Sequence, residues 1–123
     1  MESKVEYVDG IFIGTTSGEA AVAGVEAFLD SVVSHEKWKP GSLLLHDLTD
    51  FDSGPLSLND IMRIAAFGYD RRAKFGAGKI AIIAVRDLEF GLARMLSVYV
   101  DSKLDSEFEV FRSRDEALAW LSA

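Results

Sequence analysis

The sequence predicts an α/β domain: a mixed sheet of four to five strands with a parallel centre and an antiparallel amino-terminal hairpin, covered by about four helices. Three observations lead there. Strand-like and helix-like segments alternate along most of the chain, which favours parallel pairing through right-handed crossovers. Asp9-Gly10 separates two short β-patterned runs, as the residues of a tight hairpin turn do. The run Ile80-Ala81-Ile82-Ile83-Ala84-Val85 has no polar alternation, which fits a strand covered on both faces.

Val5 to Val8 and Ile11 to Gly14 form the hairpin. Thr16 and Glu19 have the spacing of a capping box, and Val22, Val25, Leu29 and Val32 then recur on one helical face, opposite Glu19, Glu26 and Asp30. That first helix should end before Pro40-Gly41. Leu43-Leu44-Leu45, running into His46-Asp47-Leu48, reads as a buried strand followed by a polar loop from Thr49 to Pro55. Ser57 with Asp60 opens a second helix carrying Leu58, Ile61, Met62, Ala65 and Tyr69, which should stop near Phe75-Gly76. After the central strand, Asp87 is placed to cap a third helix with Leu88, Leu92, Met95, Leu96 and Tyr99. Glu107 to Phe111 alternates in part, as a more exposed strand does. Ser113 and Glu116 open a short last helix of Ala117, Leu118, Trp120 and Leu121. Without linker, repeat or low-complexity segment, residues 1–123 form a single domain.

Composition narrows the function. With 123 residues, 49% of them hydrophobic, and no Cys, the chain should bury a core that needs no disulfide or structural zinc. Its 20 acidic and 13 basic side chains give a net charge of −7, which argues against nucleic acid, whose phosphates are held by Lys and Arg. Between Arg63 and Arg86 six basic side chains stand against Asp70 alone, a pattern that reads first as a solvated helix end. No secretory signal is visible, and the longest apolar run is far short of the roughly 20 residues that span a bilayer. A cytoplasmic protein with no stable membrane insertion is expected.

Catalytic patterns are mostly absent. Gly76-Ala77-Gly78-Lys79 resembles part of a phosphate loop, but it leads from helix to strand, the wrong order for helix amides to face an anion. Asp47, Asp50 and Asp52 cluster where open α/β sheets place ligands, yet no further metal ligand stands at a recognisable spacing. His46 and Asp47 are strand neighbours and should point to opposite faces. His35, near a helix end, reads as a solvated imidazole. No catalytic residue, metal or cofactor is assigned, and a non-enzymatic role is expected.

The order of elements, the loop Asp50-Phe51-Asp52-Ser53-Gly54, the stretch Gly76 to Val85 and the ending with Phe111, Glu116-Ala117 and Trp120-Leu121 resemble the SpoIIAA-like group of bacterial proteins. That group shares the STAS fold of anti-sigma-factor antagonists, so the resemblance, which covers most of the chain, implies a STAS-like sheet. In such antagonists an Asp-Ser-Ser-Gly sequence follows the central strand and a kinase phosphorylates one Ser. Here the sequence is Asp52-Ser53-Gly54-Pro55, with one Ser missing and a Pro added, so Ser53 is a regulatory phosphorylation candidate by position. The same residue types also make an ordinary turn.

The group also resembles CRAL-TRIO lipid carriers, which hold an apolar ligand between sheet and mobile helices. In this chain Ile64 and Phe67 on the second helix, and Phe90, Ala93 and Val98 on the third, widen the apolar side beyond one stripe. The leading expectation is therefore binding of an apolar small molecule or lipid between these helices and the sheet, lined by Met62, Phe67, Phe90, Met95 and Tyr99. The alternative is a STAS-type regulatory protein-interaction module modulated at Ser53. An apolar edge at Ile64 and Phe67 suggests a homodimer in either case.

Overall fold

The computed structural model describes residues 1–123. Its elements run β1 (Glu2–Val8), β2 (Ile11–Glu19), α1 (Val22–Val33), β3 (Leu43–Asp47), β4 (Phe51–Asp52) and α2 (Leu58–Asp70). They continue with α3 (Arg72–Phe75), β5 (Lys79–Ile83), α4 (Asp87–Asp101), β6 (Glu107–Phe111) and α5 (Arg114–Leu121). The strands form one mixed sheet in the order β1-β2-β3-β5-β6, with the short β4 beside the end of β2. Only the β1–β2 hairpin is antiparallel. The α/β architecture expected from the sequence is present, with one further short strand and one further short helix.

The hairpin turns at Asp9 and Gly10, whose φ values of 51° and 82° match the twist of the strands they join. β2 continues well past Gly14, so Thr16 and Glu19 do not cap a helix as expected. Glu2 faces Ser17 on one side, while Gly18 and Glu19 pair with Phe51 and Asp52 on the other. Strand bonds to two neighbours outweigh the local capping preference, and α1 begins at Ala21 with no side-chain cap. The capping box expected at α2 is complete: Asp60 N donates to Ser57 Oγ at 3.1 Å and Ser57 N to Asp60 Oδ2 at 2.8 Å. Asp87 lies inside α4, whose N-cap is Arg86. There its carboxylate favours the helix start through the dipole rather than as a cap.

Alternation along the strands divides the core in two. Phe12, Leu44, Ile80, Ile82 and Val110 face Phe28 and Val32 of α1 and Ala93 of α4. Leu45, Ala81 and Ile83 face Ala117 and Leu121 of α5 on the other side. The central strand β5 is thus covered on both faces. β1 and β6 each have one sheet neighbour, and their exposed side chains include Glu2, Lys4, Glu6, Glu107 and Glu109. No helix is long and apolar enough to cross a membrane.

Gly76-Ala77-Gly78 has a packing role. Gly41 N donates to Phe75 O at 2.8 Å, which draws the Pro40-Gly41 turn against the start of β5. A Cβ on Gly78 would sit 2.6 Å from the carbonyl oxygens of Gly41 and Ser42, and Gly76 has φ of 72°. Backbone cannot swing aside as a side chain can, so Gly78→Ala should lower stability by about 1–3 kcal/mol, measured by urea unfolding.

Candidate functional site

The sheet face under α1, α2 and α4 is incompletely filled. A cavity of about 140 Å³ remains there, lined by 24 residues of which 19 are hydrophobic. α2 contributes Ile61, Ile64, Ala65 and Gly68; α4 contributes Glu89, Leu92, Ala93, Leu96 and Val100. Leu44, Ile80, Ile82 and Phe108 form its floor.

The only polar side chains in the lining are Thr16, His46, Ser53 and Glu89. Gly14 and His46 are register partners on β2 and β3. With no side chain at Gly14, the Phe28 ring settles over the strand, where an added Cβ would overlap it. Phe28 then stacks on the His46 imidazole, with centroids 4.2 Å apart and planes within 18°. His46 Nε2 bonds Thr16 Oγ1 at 3.0 Å, and Thr16 Oγ1 bonds Ser3 Oγ at 3.2 Å. The other ring nitrogen, Nδ1, makes no hydrogen bond within the protein. Burial pushes the imidazole pKa down to about 4, with partial opposition from the Asp47 charge, so His46 is neutral near pH 7. Asp47 itself points the other way, as expected, and accepts from Thr49 N at 2.9 Å and from Arg114 Nη1 at 3.3 Å.

The second polar group closes the end of the cavity where α2 and α4 begin. Glu89, 4% exposed, takes hydrogen bonds at Oε2 from both the amide and the hydroxyl of Ser53, the amide at 3.0 Å. Its Oε1 meets Arg86 Nε at 3.2 Å, and Arg86 Nη2 donates to Phe51 O. Burial alone would raise the Glu89 pKa, but the Ser53 bonds and Arg86 hold it below the usual carboxylate range. Ser53 is 3% exposed, so the candidate regulatory residue is inside the fold and latched to α4. Sequence reasoning missed this carboxylate. The available signal was its spacing, since Glu89 shares a helical face with Ala93, Leu96 and Val100.

None of the five residues expected to line a ligand site borders this cavity. Met62, Met95 and Tyr99 are 38%, 41% and 39% exposed, on the outer surfaces of α2 and α4. Tyr99 instead shares a shallow pocket with Ala65, Ala66, Tyr69, Ser102 and Lys103. Phe67 lies under the Arg71 guanidinium, 3.3 Å from ring centroid to Cζ, and Phe90 lies under that of Arg112 at 4.2 Å. Ile64, expected at an exposed edge, is buried against the cavity. The basic segment is partly neutralised by α1: Arg63 pairs with Glu26 at 2.9 Å and Arg71 with Asp30 at 2.6 Å.

No protein-family model matches the chain, and no curated protein matches it in sequence. In three dimensions it is similar to an uncharacterized protein of the DUF3478 family with a SpoIIAA-like fold from Shewanella loihica PV-4. That similarity has 22% identity and a TM-score of 0.63, over 98% of this chain and 92% of that one. It is also similar to an anti-sigma factor antagonist from Mycobacterium paratuberculosis, with 20% identity and a TM-score of 0.65, over 99% of this chain and 94% of that one. The chain has the SpoIIAA-like fold.

Two outcomes follow from the buried polar groups. His46 takes up a proton near pH 6.5 when unfolded but only near pH 4 when folded, so acidification through that window favours unfolding by on the order of 3 kcal/mol. The melting temperature should fall from pH 7 to pH 4, and His46→Phe should flatten that fall. Glu89, with its folded pKa depressed, adds its own loss only at lower pH, below the unfolded carboxylate value. Ser53→Ala should cost about 1.5–3 kcal/mol in urea unfolding at pH 7, because a buried carboxylate loses a charge-assisted bond.

Proposed function

We propose that the chain is a non-enzymatic regulatory module that docks a protein partner on the outer face of α2 and α4, with the Ser53 loop tuning that contact. The observation that carries this reading is the apolar surface those helices turn outward. On α2, Leu58, Met62 and Tyr69 follow helical spacing, and on α4 Leu88, Met95 and Tyr99 do the same; all six are exposed. The two stripes converge at the pocket that Tyr69 and Tyr99 share. Exposed apolar surface of this extent marks an interaction site, and methionine suits an adaptable one. Likeness of fold to an anti-sigma factor antagonist supports a protein as the partner.

Ser53 lies in the loop ahead of the α2 N-cap Ser57 and is hydrogen-bonded to Glu89 in the first turn of α4, so it links the approach to one docking helix with the start of the other. A phosphate there would bring about −1.5 to −2 charges against Glu89 and Asp52. The latch would open, and the two helices would lose their common anchor.

A second reading has its own observation. The cavity favours an apolar small molecule held between helices and sheet, although its volume suits a single ring better than a long-chain lipid.

Cross-linking in the protein's own cells, followed by mass spectrometry, tests the docking face. Wild type should retain a specific partner, and Met62→Glu/Met95→Glu should lose it at an unchanged melting temperature. Equal capture by the double variant would remove the outer face from consideration. Ser53→Asp should capture less than Ser53→Ala. If a second copy of this chain is the occupant, sedimentation will show a dimer that the double variant converts to a monomer.

A further inference from the structure

We infer that the cavity binds a neutral, ring-sized aromatic molecule carrying one hydrogen-bonding group, such as a phenol or an indole, seated with its polar atom on Nδ1 of His46. This rests on the reading of the cavity as a small-molecule site and adds the class of molecule.

Size comes first. An apolar cavity of about 150 Å³ lined by Leu, Ile and Phe stays dry and accepts benzene. The cavity here, about 140 Å³ with a comparable lining, is of the same scale. Long acyl chains exceed it.

Polarity then selects among small molecules. Ser53 and Glu89 satisfy each other, with Arg86 completing the carboxylate, and Thr16 is engaged with Ser3 and His46. One polar atom of the lining is left without a protein partner, Nδ1 of His46. It offers a single unengaged polar contact in a space whose other lining is mostly apolar, the combination by which small-molecule sites orient a ligand. The Glu89 carboxylate disfavours an anion. Depending on which ring nitrogen carries the proton, Nδ1 donates to a phenolic oxygen or accepts from a phenol O–H or an indole N–H.

Thermal unfolding of the full chain at pH 7.5 with phenol, indole, benzene or palmitate, combined with nitrogen-15 NMR of the His46 ring, tests this. Phenol and indole should raise the melting temperature at millimolar concentration and move the Nδ1 resonance. Phenol should bind more tightly than benzene by roughly tenfold, the worth of one hydrogen bond. His46→Phe should erase that preference while still binding benzene. Ala93→Leu, which fills the cavity from α4, should abolish every shift, with Ala65→Leu from α2 as the second variant if the first does not fold. Palmitate binding without phenol or indole binding would overturn the ring-sized class while leaving a small-molecule site in place. No shift with any compound would overturn that site itself. Equal affinity of wild type for phenol and benzene would overturn the role of His46.

Discussion

Glu89 brings a carboxylate into the interior, and an ionised carboxylate cannot stay there without donors aimed at it. The chain supplies the Ser53 amide, the Ser53 hydroxyl and the Arg86 guanidinium. Each donor constrains a different part of the molecule. Ser53 fixes the loop that leads into α2, and Arg86 fixes the turn out of β5 while also holding Phe51 O of β4. Two strand-to-helix connections at one end of the sheet, β4 to α2 and β5 to α4, are therefore tied to one charge. The latch ties together the starts of α2 and α4 at one end of the space that both helices line.

That space owes its other boundary to an absence. Gly14 carries no side chain, so Phe28 reaches over β2 and lies flat on His46. The imidazole is kept uncharged by the same enclosure. The site thus combines a charged group that is fully satisfied with a neutral group that is half satisfied. The first contributes to the architecture; the second leaves one ring nitrogen without a protein partner.

Much of the fold was legible in the sequence because its signals are local. Asp9-Gly10 can hardly be anything but a hairpin turn, Ser57 and Asp60 cap each other across one helical turn, and Ile80 to Val85 has no polar position to expose. Thr16 misled because its neighbours in space, Ser3 and His46, lie far away in sequence and draw it into a strand. The site was less legible for a related reason. Helical spacing shows that Met62, Met95 and Tyr99 belong to apolar stripes, but α2 and α4 are apolar on more than one side, and spacing alone does not say which side meets the sheet. The inward faces are those of Ile61, Ile64 and Ala65 and of Glu89, Ala93 and Val100. The bond from Ser53 to Glu89 spans 36 residues of sequence, beyond the reach of any local pattern.

The charged rims of the sheet decide how this molecule can meet others. An open strand edge is a template onto which another chain can add, and both edges here are guarded by carboxylates or lysine, at Glu2, Lys4 and Glu6 on β1 and at Glu107 and Glu109 on β6. Growth of the sheet from molecule to molecule is discouraged. The protection is mostly acidic. In acid His46 and Glu89 weaken the native state, and a chain that opens no longer presents these edges in their guarded form. Storage and purification of this protein are best kept near neutral pH, where His46 is neutral and the folded state keeps its stability.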